Sequence, residues 1–468
     1  MKKRTVIIFS IFYLIVSSGF TQHFTDINAP LPALVNGASL AWGDFDNDGD
    51  LDLVIAGQLE GSLNPTCLLF INNGSNIFTQ SSIYIPPLYN PHVAWVDYDH
   101  DGWLDLIYSG NGSYGSTPRI YIYHNDSGTA FTGHLINTSE TGIMAWADFN
   151  NDSLIDYVVS FTGGTKIYKN LGNYSFVLDT LITPFGGGCA EWIDYDKDGH
   201  LDLFVSGEGP SFAEYHTELF HNNGAGVFYP NPYVYRNQII GDGCWGDFKK
   251  SGNIDMIFSG DTIYNDPFLK YFQNNGGGTF TELTLSDTII AGQLYAGDFN
   301  NDGWLDALAV GVTGYYPNFN SKIEILQNHN GVFVDYDLQL PTQLGAVAVG
   351  DYDNDGWLDF AISGPNGFNG TLYTTRIYHN DENVFVPWFS IDSGLKTYPN
   401  PCSGSLQISL PKVMYNADLS IYNLVGQKVY SETLNGKQQI INFKLSKGIY
   451  FIRVKDSNET WTSKIANE

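Results

Sequence analysis

Short apolar runs alternate along most of this chain with tight polar loops, and the whole cycle returns roughly every 51 residues. Each cycle reads as four strands. A small apolar run, such as SLAWG at 39–43, leads into a polar loop. A nearly continuous apolar run follows, as in LDLVIA at 51–56 or LDLFVS at 201–206, the pattern of a strand buried on both faces. An alternating run such as RIYIYH at 119–124 predicts a third strand with one face exposed. An Asn/Gly turn and an aromatic, as in NGAGVF at 223–228 and NGGGTF at 275–280, open a fourth.

The polar loops are copies of one nine-residue unit. It reads DFDNDGDLD at 44–52, DYDHDGWLD at 97–105, DFNNDSLID at 148–156, DYDKDGHLD at 194–202, DFKKSGNID at 247–255, DFNNDGWLD at 298–306 and DYDNDGWLD at 351–359. Seven units of about 50 residues and four short strands predict an all-β fold, a seven-bladed β-propeller over residues 22–392. A solenoid is the competing architecture, but seven uniform units without distinct caps favour a closed ring. The extra FTDI at 24–27 stands where it can pair with the last unit and close that ring.

Composition adds strand-forming aromatics at 15 % of residues and 50 glycines for turns. The net charge of −28 excludes nucleic acid as a partner, since phosphate binding needs a basic surface. Half of the acidic residues, 25 of 50, fall inside the seven loops. Carboxylates at loop positions 1, 3, 5 and 9 are the hard oxygen ligands that Ca²⁺ requires, and Gly at position 6 permits the sharp turn. Position 7 varies, as expected of a residue that offers only its backbone carbonyl. Mg²⁺ fits less well, because it prefers to keep waters in a strict octahedron.

The expected ligands are therefore Asp44, Asp46, Asp48, Asp50 and Asp52 in loop 1, and Asp97, Asp99, Asp101, Trp103 and Asp105 in loop 2. Loop 3 offers Asp148, Asn150, Asp152, Leu154 and Asp156, and loop 4 offers Asp194, Asp196, Asp198, His200 and Asp202. Loop 6 offers Asp298, Asn300, Asp302, Trp304 and Asp306, and loop 7 offers Asp351, Asp353, Asp355, Trp357 and Asp359. Loop 3, with Asn150 and with Ser153 in place of Gly, is expected to bind more weakly. Loop 5 carries Lys249, Lys250 and Ser251 at the inner positions, so about six Ca²⁺ are expected and loop 247–255 is expected empty, a lysine ammonium replacing the ion between Asp247 and Asp255.

Motif and period resemble the FG-GAP/VCBS repeats of integrin-α-type propellers. The resemblance implies metal sites that are mainly structural, on the face opposite the ligand-binding loops. The namesake Gly-Ala-Pro element is only loosely present, for example at 207–210 and 364–367.

In an up-and-down blade the Asp loop joins strands one and two, so the loops joining strands two and three lie on the other face. These vary in length and are rich in Tyr, Phe, Asn and Gly, a combination suited to adaptable recognition. Tyr114, Phe212, Tyr215, Tyr315, Tyr316, Phe319 and Phe368 are the candidate ligand-binding residues, with packing over neighbouring blades as the alternative role. No histidine spacing of the His-Glu-x-x-His type and no nucleophile elbow appears, so catalysis finds little support, with acid/base residues brought together across blades left open. Cys67, Cys189, Cys244 and Cys402 are too few for a disulfide framework and read as small buried hydrophobes, with Cys189 and Cys244 close enough in the pattern to approach each other.

The two ends carry addresses. Lys2, Lys3 and Arg4, an apolar run over 6–16 and small residues at 17–19 predict a signal peptide over 1–21. No later run is long enough to span a membrane. Residues 22–392 hold 45 acidic and 10 basic side chains, whereas 393–468 hold 5 and 9, and the Asp repeat stops. Short strands there, at 406–410, 418–423, 438–443 and 448–454, predict a small β-sandwich, for which a carbohydrate-binding or spacer module is the plain reading. Its motifs, YPNP at 398–401, IYNLVGQ at 421–427, LSKGIYF at 445–451 and KIA at 464–466, resemble the type A sorting domain of the Bacteroidetes type IX secretion system. That resemblance implies the type IX machinery as a partner and a secreted or surface location. Together these features point to an adhesion-type module for an extracellular protein or glycan; a polysaccharide-active enzyme and a structural surface spacer are the alternatives.

Overall fold

The structure is a computed structural model that describes residues 23–35, 38–62, 64–113, 116–183, 185–209, 215–236, 238–239, 241–262, 267–285, 290–313, 320–338, 340, 345–365, 372–381, 395–400, 402, 404–422, 428–455 and 460–467. The segment expected to be a signal peptide lies outside them. Two compact units are present, one spanning Phe24–Asn380 and the other the chain from Asp381 onward.

The first unit is built of seven antiparallel sheets, one per repeat. Sheet 1 runs Ser39–Gly43, Asp52–Gln58, Pro65–Asn72, Phe78–Gln80, and sheet 2 runs Tyr89–Val96, Asp105–Ser113, Ser116–Asn125, Phe131–Asn137. Sheet 3 is Ile143–Ala147, Asp156–Phe161, Gly164–Asn170, Phe176–Thr183, and sheet 4 is Gly186–Ile193, Asp202–Glu208, Tyr215–Asn222, Phe228–Arg236. Sheet 5 is Gly243–Gly246, Asp255–Thr262, Pro267–Asn274, Phe280–Thr284, with Gln238–Ile239 as a further strand on Asp255–Thr262. Sheet 6 is Ile290–Gly297, Asp306–Thr313, Asn320–His329, Val332–Asp337. Sheet 7 takes Ala346–Gly350, Asp359–Pro365 and Tyr373–Asn380, and its fourth strand is the N-terminal Phe24–Asp26, paired Phe24 to Asn380. The FTDI segment thus does what the sequence suggested. An all-β arrangement of four-stranded repeats, the last completed by the first residues, fits a β-propeller.

The second strand of each sheet is apolar on both faces because it is covered from both sides; Asp52–Gln58, Asp202–Glu208 and Asp359–Pro365 are buried but for their last residue. Successive sheets are stitched by their first strands. Trp95 donates its indole N–H to Ala41 O (3.3 Å), Trp192 to Ala145 O (3.2 Å) and Trp42 to Ala348 O (3.1 Å), the last joining sheet 1 to sheet 7. A second seam comes from loop position 2, always Phe or Tyr and always buried: Phe45, Tyr98, Phe149, Tyr195, Phe248, Phe299 and Tyr352. Phe149 stacks on Trp192 at 5.5 Å and Tyr352 on Trp42 at 5.8 Å, each ring reaching the following sheet. Each such burial is worth about 1.5–3 kcal/mol. The approach is close enough that a Cβ on Gly246 would meet Leu305 at 2.6 Å and one on Gly297 would meet Leu358 at 2.4 Å.

In the second unit, Lys396–Tyr398, Ser405–Tyr422, Lys428–Asn442, Gly448–Lys455 and Thr460–Asn467 form one hydrogen-bonded sheet. Two of the strands expected there, 406–410 and 418–423, are halves of the single strand Ser405–Tyr422, which shifts register against Lys428–Asn442 between Ser409 and Met414 and again between Met414 and Ala417. Its core holds Leu406, Ile408, Leu419, Ile452, Val454 and Ile465.

Candidate metal loops and the opposite face

Each Asp loop joins the end of a first strand to the start of a second, and its shape is set by side chain–backbone bonds within it. The position-1 carboxylate accepts the amides of positions 5 and 6: Asp351 takes Asp355 N at 3.1 Å and Gly356 N at 2.9 Å. Asp44, Asp97, Asp148, Asp194 and Asp298 do the same. The position-5 side chain accepts the position-7 amide, as Asp355 does from Trp357 N at 2.8 Å. Position 4 is left-handed throughout, from φ 51° at Lys250 to 62° at Lys197, and position 6 holds Gly at φ near 90°. Loop 3 makes the same turn with Ser153 at φ 68°, a strained conformation for a residue with a Cβ.

Position 9 is the buried anchor. Asp52, Asp105, Asp156, Asp202, Asp255, Asp306 and Asp359 have no exposed surface. In each, one oxygen accepts the backbone N–H of an asparagine on the third strand, for instance Asn72 N to Asp52 at 2.8 Å and Asn380 N to Asp359 at 2.7 Å. In five loops the other oxygen accepts the position-2 amide, as in Phe45 N to Asp52 at 2.9 Å. Burial, with a smaller push from acidic neighbours, nonetheless raises these carboxyls above their ordinary range, to about 7 at Asp52, Asp156, Asp202 and Asp306, about 6 at Asp105 and about 8 at Asp359.

Crowded acids of this kind fit a cation. In loop 1 the ligand atoms of Asp44, Asp46 and Asp48 lie within 4.8 Å of one another; at loops 2, 4 and 7 the corresponding groups are two loop aspartates with the third-strand His124, His221 or His379. Asp46 Oδ1 and Asp353 Oδ1, both at position 3, are buried acceptors with no hydrogen-bond donor, the condition that a metal ion relieves. All-oxygen donors suit Ca²⁺. Positions 1, 3, 5 and 9 with the position-7 carbonyl would hold it, and the ion would supply the positive charge that these carboxylates lack.

Three participants escaped the sequence reading. The third-strand asparagines (Asn72, Asn125, Asn170, Asn222, Asn274, Asn328, Asn380) fasten the position-9 Asp and donate through Nδ2 to the position-8 carbonyl. Six of them also reach the position-2 carbonyl of the preceding loop, from 2.7 Å at Asn328–Phe248 to 3.1 Å at Asn222–Phe149. An asparagine 14 to 22 residues past the ninth position was the available signal. The residue just before it walls the loop: His124 Nδ1 stands 3.2 Å from Asp105 and 3.4 Å from Asp99, and His221 and His379 repeat this in loops 4 and 7. Finally, the position-4 asparagine bridges to the next loop, Asn47 to Gly102 O, Asn151 to Gly199 O, Asn301 to Gly356 O and Asn354 to Gly49 O.

Loops 3 and 5 carry contacts that the other five lack. In loop 3, Lys169 Nζ lies 3.0 Å from Asp152 Oδ2, and Asn150 Nδ2 donates to Asp156 at 2.8 Å, so three expected ligands are already engaged. In loop 5 the expected lysine cap takes another form. Lys249 Nζ donates to Gln273 Oε1 at 3.0 Å, and Tyr271 Oη donates to Asp255 at 2.6 Å. The ammonium acts on Asp255 only as a nearby charge that lowers its pKa. Lys250 Nζ sits over the Trp304 ring of loop 6 at 4.3 Å, replacing the asparagine bridge.

On the opposite face most of the candidate ligand-binding aromatics, Tyr114, Phe212, Tyr315, Tyr316, Phe319 and Phe368, lie outside the described residues. Tyr215 is half-buried and opens the third strand of sheet 4, paired with Glu208. Between sheets 2 and 3 this face carries a cleft of about 320 Å³ lined by Asn90, Asn111, Thr141, Ser160, Phe161 and Thr162, among others. All four cysteines are buried, and none is in a disulfide.

Residues 97–159, 148–205 and 247–309 match the FG-GAP-like repeat family and 345–379 the FG-GAP repeat, so the matches take in loops 2 to 7. Residues 396–468 match the secretion system C-terminal sorting domain. The chain thus carries FG-GAP repeats and ends in a type IX sorting domain, which indicates export to the cell surface or beyond. No curated protein matches the sequence. Among solved structures it is similar to an Agrocybe aegerita lectin described as recognising non-reducing terminal N-acetylglucosamine (16 % identity, 91 % of this chain and 99 % of that one, TM-score 0.40). It is also similar to PorZ, a type IX secretion surface component of Porphyromonas gingivalis (11 %, 92 % and 70 %, 0.32), and to the Aleuria aurantia lectin (9 %, 66 % and 99 %, 0.39). Likenesses of this size carry no functional weight. No helix among the described residues is long and apolar enough to cross a membrane.

Proposed function

We propose that residues 22–392 form a closed seven-bladed propeller, loaded with about six Ca²⁺, that binds an extracellular glycan on the face away from the Asp loops. It follows a signal peptide over 1–21, and the C-terminal segment 393–468 folds over as a β-sandwich that hands the chain to the type IX machinery. Calcium holds the far ends of the blades together, and the role of the other face is binding without turnover.

The observation that carries this reading is the cleft between sheets 2 and 3. Its amides and hydroxyls, from Asn90, Asn111, Thr141, Ser160 and Thr162, both donate and accept hydrogen bonds, as sugar hydroxyls do, and Phe161 supplies an apolar surface beside them. Screening the full chain on a glycan array in calcium tests it. Binding that is lost in Asn111→Ala and Thr162→Ala is expected. A chain that retains no glycan, or retains it equally in both variants, overturns it, and capture of a protein ligand instead transfers the same face to the adhesion reading.

A further inference from the structure

The first strands of sheets 2, 3, 4 and 6, with Gly241 and Asp242 ahead of the first strand of sheet 5, line a cavity of about 420 Å³. Its wall carries a group that the Asp loops do not explain. Cys189 and Glu191 come from the first strand of sheet 4, and Asp242 stands just before the first strand of sheet 5. A ligand atom from each lies within 4.8 Å of the other two. Cys244, the next thiol, is close enough for both carboxylates to raise its pKa.

Each of the three groups is aimed by a second contact. Glu191 Oε2 accepts the indole N–H of Trp245 at 2.7 Å, where Trp42, Trp95 and Trp192 instead donate to a backbone carbonyl. Asp242 Oδ2 accepts Leu294 N at 3.0 Å, and Cys189 Sγ contacts Ser206 Oγ at 3.2 Å. Outer contacts that fix ligand orientation are typical of metal centres.

Nothing among the described wall residues balances the two carboxylates. Among the described residues the cavity is lined by no Lys or Arg, and burial holds the one histidine there, His92, down to about 4 and so neutral at pH 7. Burial and the Asp242 charge push Glu191 well above the carboxylate range. A cation or a shared proton must resolve this. A thiol beside two carboxylates selects a thiophilic ion over the hard Ca²⁺ of the outer loops. We propose that Cys189, Glu191 and Asp242 bind one Zn²⁺-class divalent ion in this cavity, with its remaining positions open to water.

Co²⁺ added to the full chain in excess Ca²⁺ tests this, because a thiolate ligand gives a near-ultraviolet charge-transfer band that an oxygen cage does not. The expected result is a band saturating at one equivalent, displaced by Zn²⁺, kept in Cys244→Ser and lost in Cys189→Ser. Glu191→Gln is expected to weaken Co²⁺ at least about tenfold. It leaves the thiol in place, so it decides the matter if Cys189→Ser folds poorly. Absence of the band, its survival in Cys189→Ser, or unchanged affinity in Glu191→Gln overturns the proposal and leaves an acid pair sharing a proton.

Discussion

Loop 351–359 and loop 247–255 have one backbone and two chemistries. In both, the position-1 aspartate accepts the amides of positions 5 and 6, at 3.1 and 2.9 Å in the first and 2.8 and 2.7 Å in the second. In both, a third-strand asparagine fastens the position-9 aspartate. At positions 3 and 5 they part: Asp353 and Asp355 in one, Lys249 and Ser251 in the other. Asp353 keeps an unsatisfied oxygen, whereas Asp255 receives a tyrosine hydroxyl. Positions 1, 4, 6 and 9 therefore make the turn and stitch the sheets, and on the proposed calcium reading positions 3 and 5 decide whether the turn also takes an ion. A loop that loses its metal residues keeps its shape, provided that other donors serve the buried acid.

Removing calcium should separate the two loop types most. Chelation is expected to lower the melting temperature of the full chain by about 10 °C or more in a calorimetric scan, since each site held well above its Kd adds up to ~2.7 kcal/mol. Equal melting in chelator and in Ca²⁺ would mean that loop 7 is held like loop 5, by protein donors alone.

Single substitutions sharpen the contrast. Asp351→Ala and Asp247→Ala each remove two amide acceptor contacts, a loss of roughly 1.5–3 kcal/mol in denaturant titration. Asp351→Ala should cost about 2 kcal/mol more in Ca²⁺, and that excess should vanish in chelator. An excess that persists in chelator would assign the difference to something other than a metal.

Acidity acts in a defined direction. The buried position-9 carboxyls of Asp52, Asp156, Asp202 and Asp306 are raised to about 7 from an ordinary 3.8. The folded chain therefore binds more protons than the unfolded one between these values, and stability without metal falls as pH rises through that window. His92, lowered to about 4, pulls the other way below its ordinary 6.5, but it is one group against these four. In chelator the melting temperature should accordingly be higher at pH 5 than at pH 8, and saturating Ca²⁺ should remove or reverse that order. The smallest effect is expected for Lys249→Ala, under about 1 kcal/mol, because its ammonium holds Gln273 and not the acids.

The repeat, the strands, the closing N-terminal strand and the acidic loops were legible because each is local: alternation, a fixed spacing, a turn glycine. What stayed hidden was carried between repeats. The third-strand asparagine serves its own loop and the one before it, the position-4 asparagine serves the one after, and Glu191 meets Asp242 across two sheets. No spacing within one strand encodes those meetings. In the C-terminal unit two expected strands proved to be one, since a register shift at Met414 bends a strand without ending it.

The number of calcium ions per chain tests the account most directly. Equilibrium dialysis of the full chain should give six, the weakest belonging to loop 3, with affinities in the ~10⁻⁴–10⁻³ M range of extracellular modules. The count should fall by one in Asp353→Asn/Asp355→Asn and stay at six in Lys249→Ala. Seven ions, or none, would contradict the division of labour between the two kinds of loop.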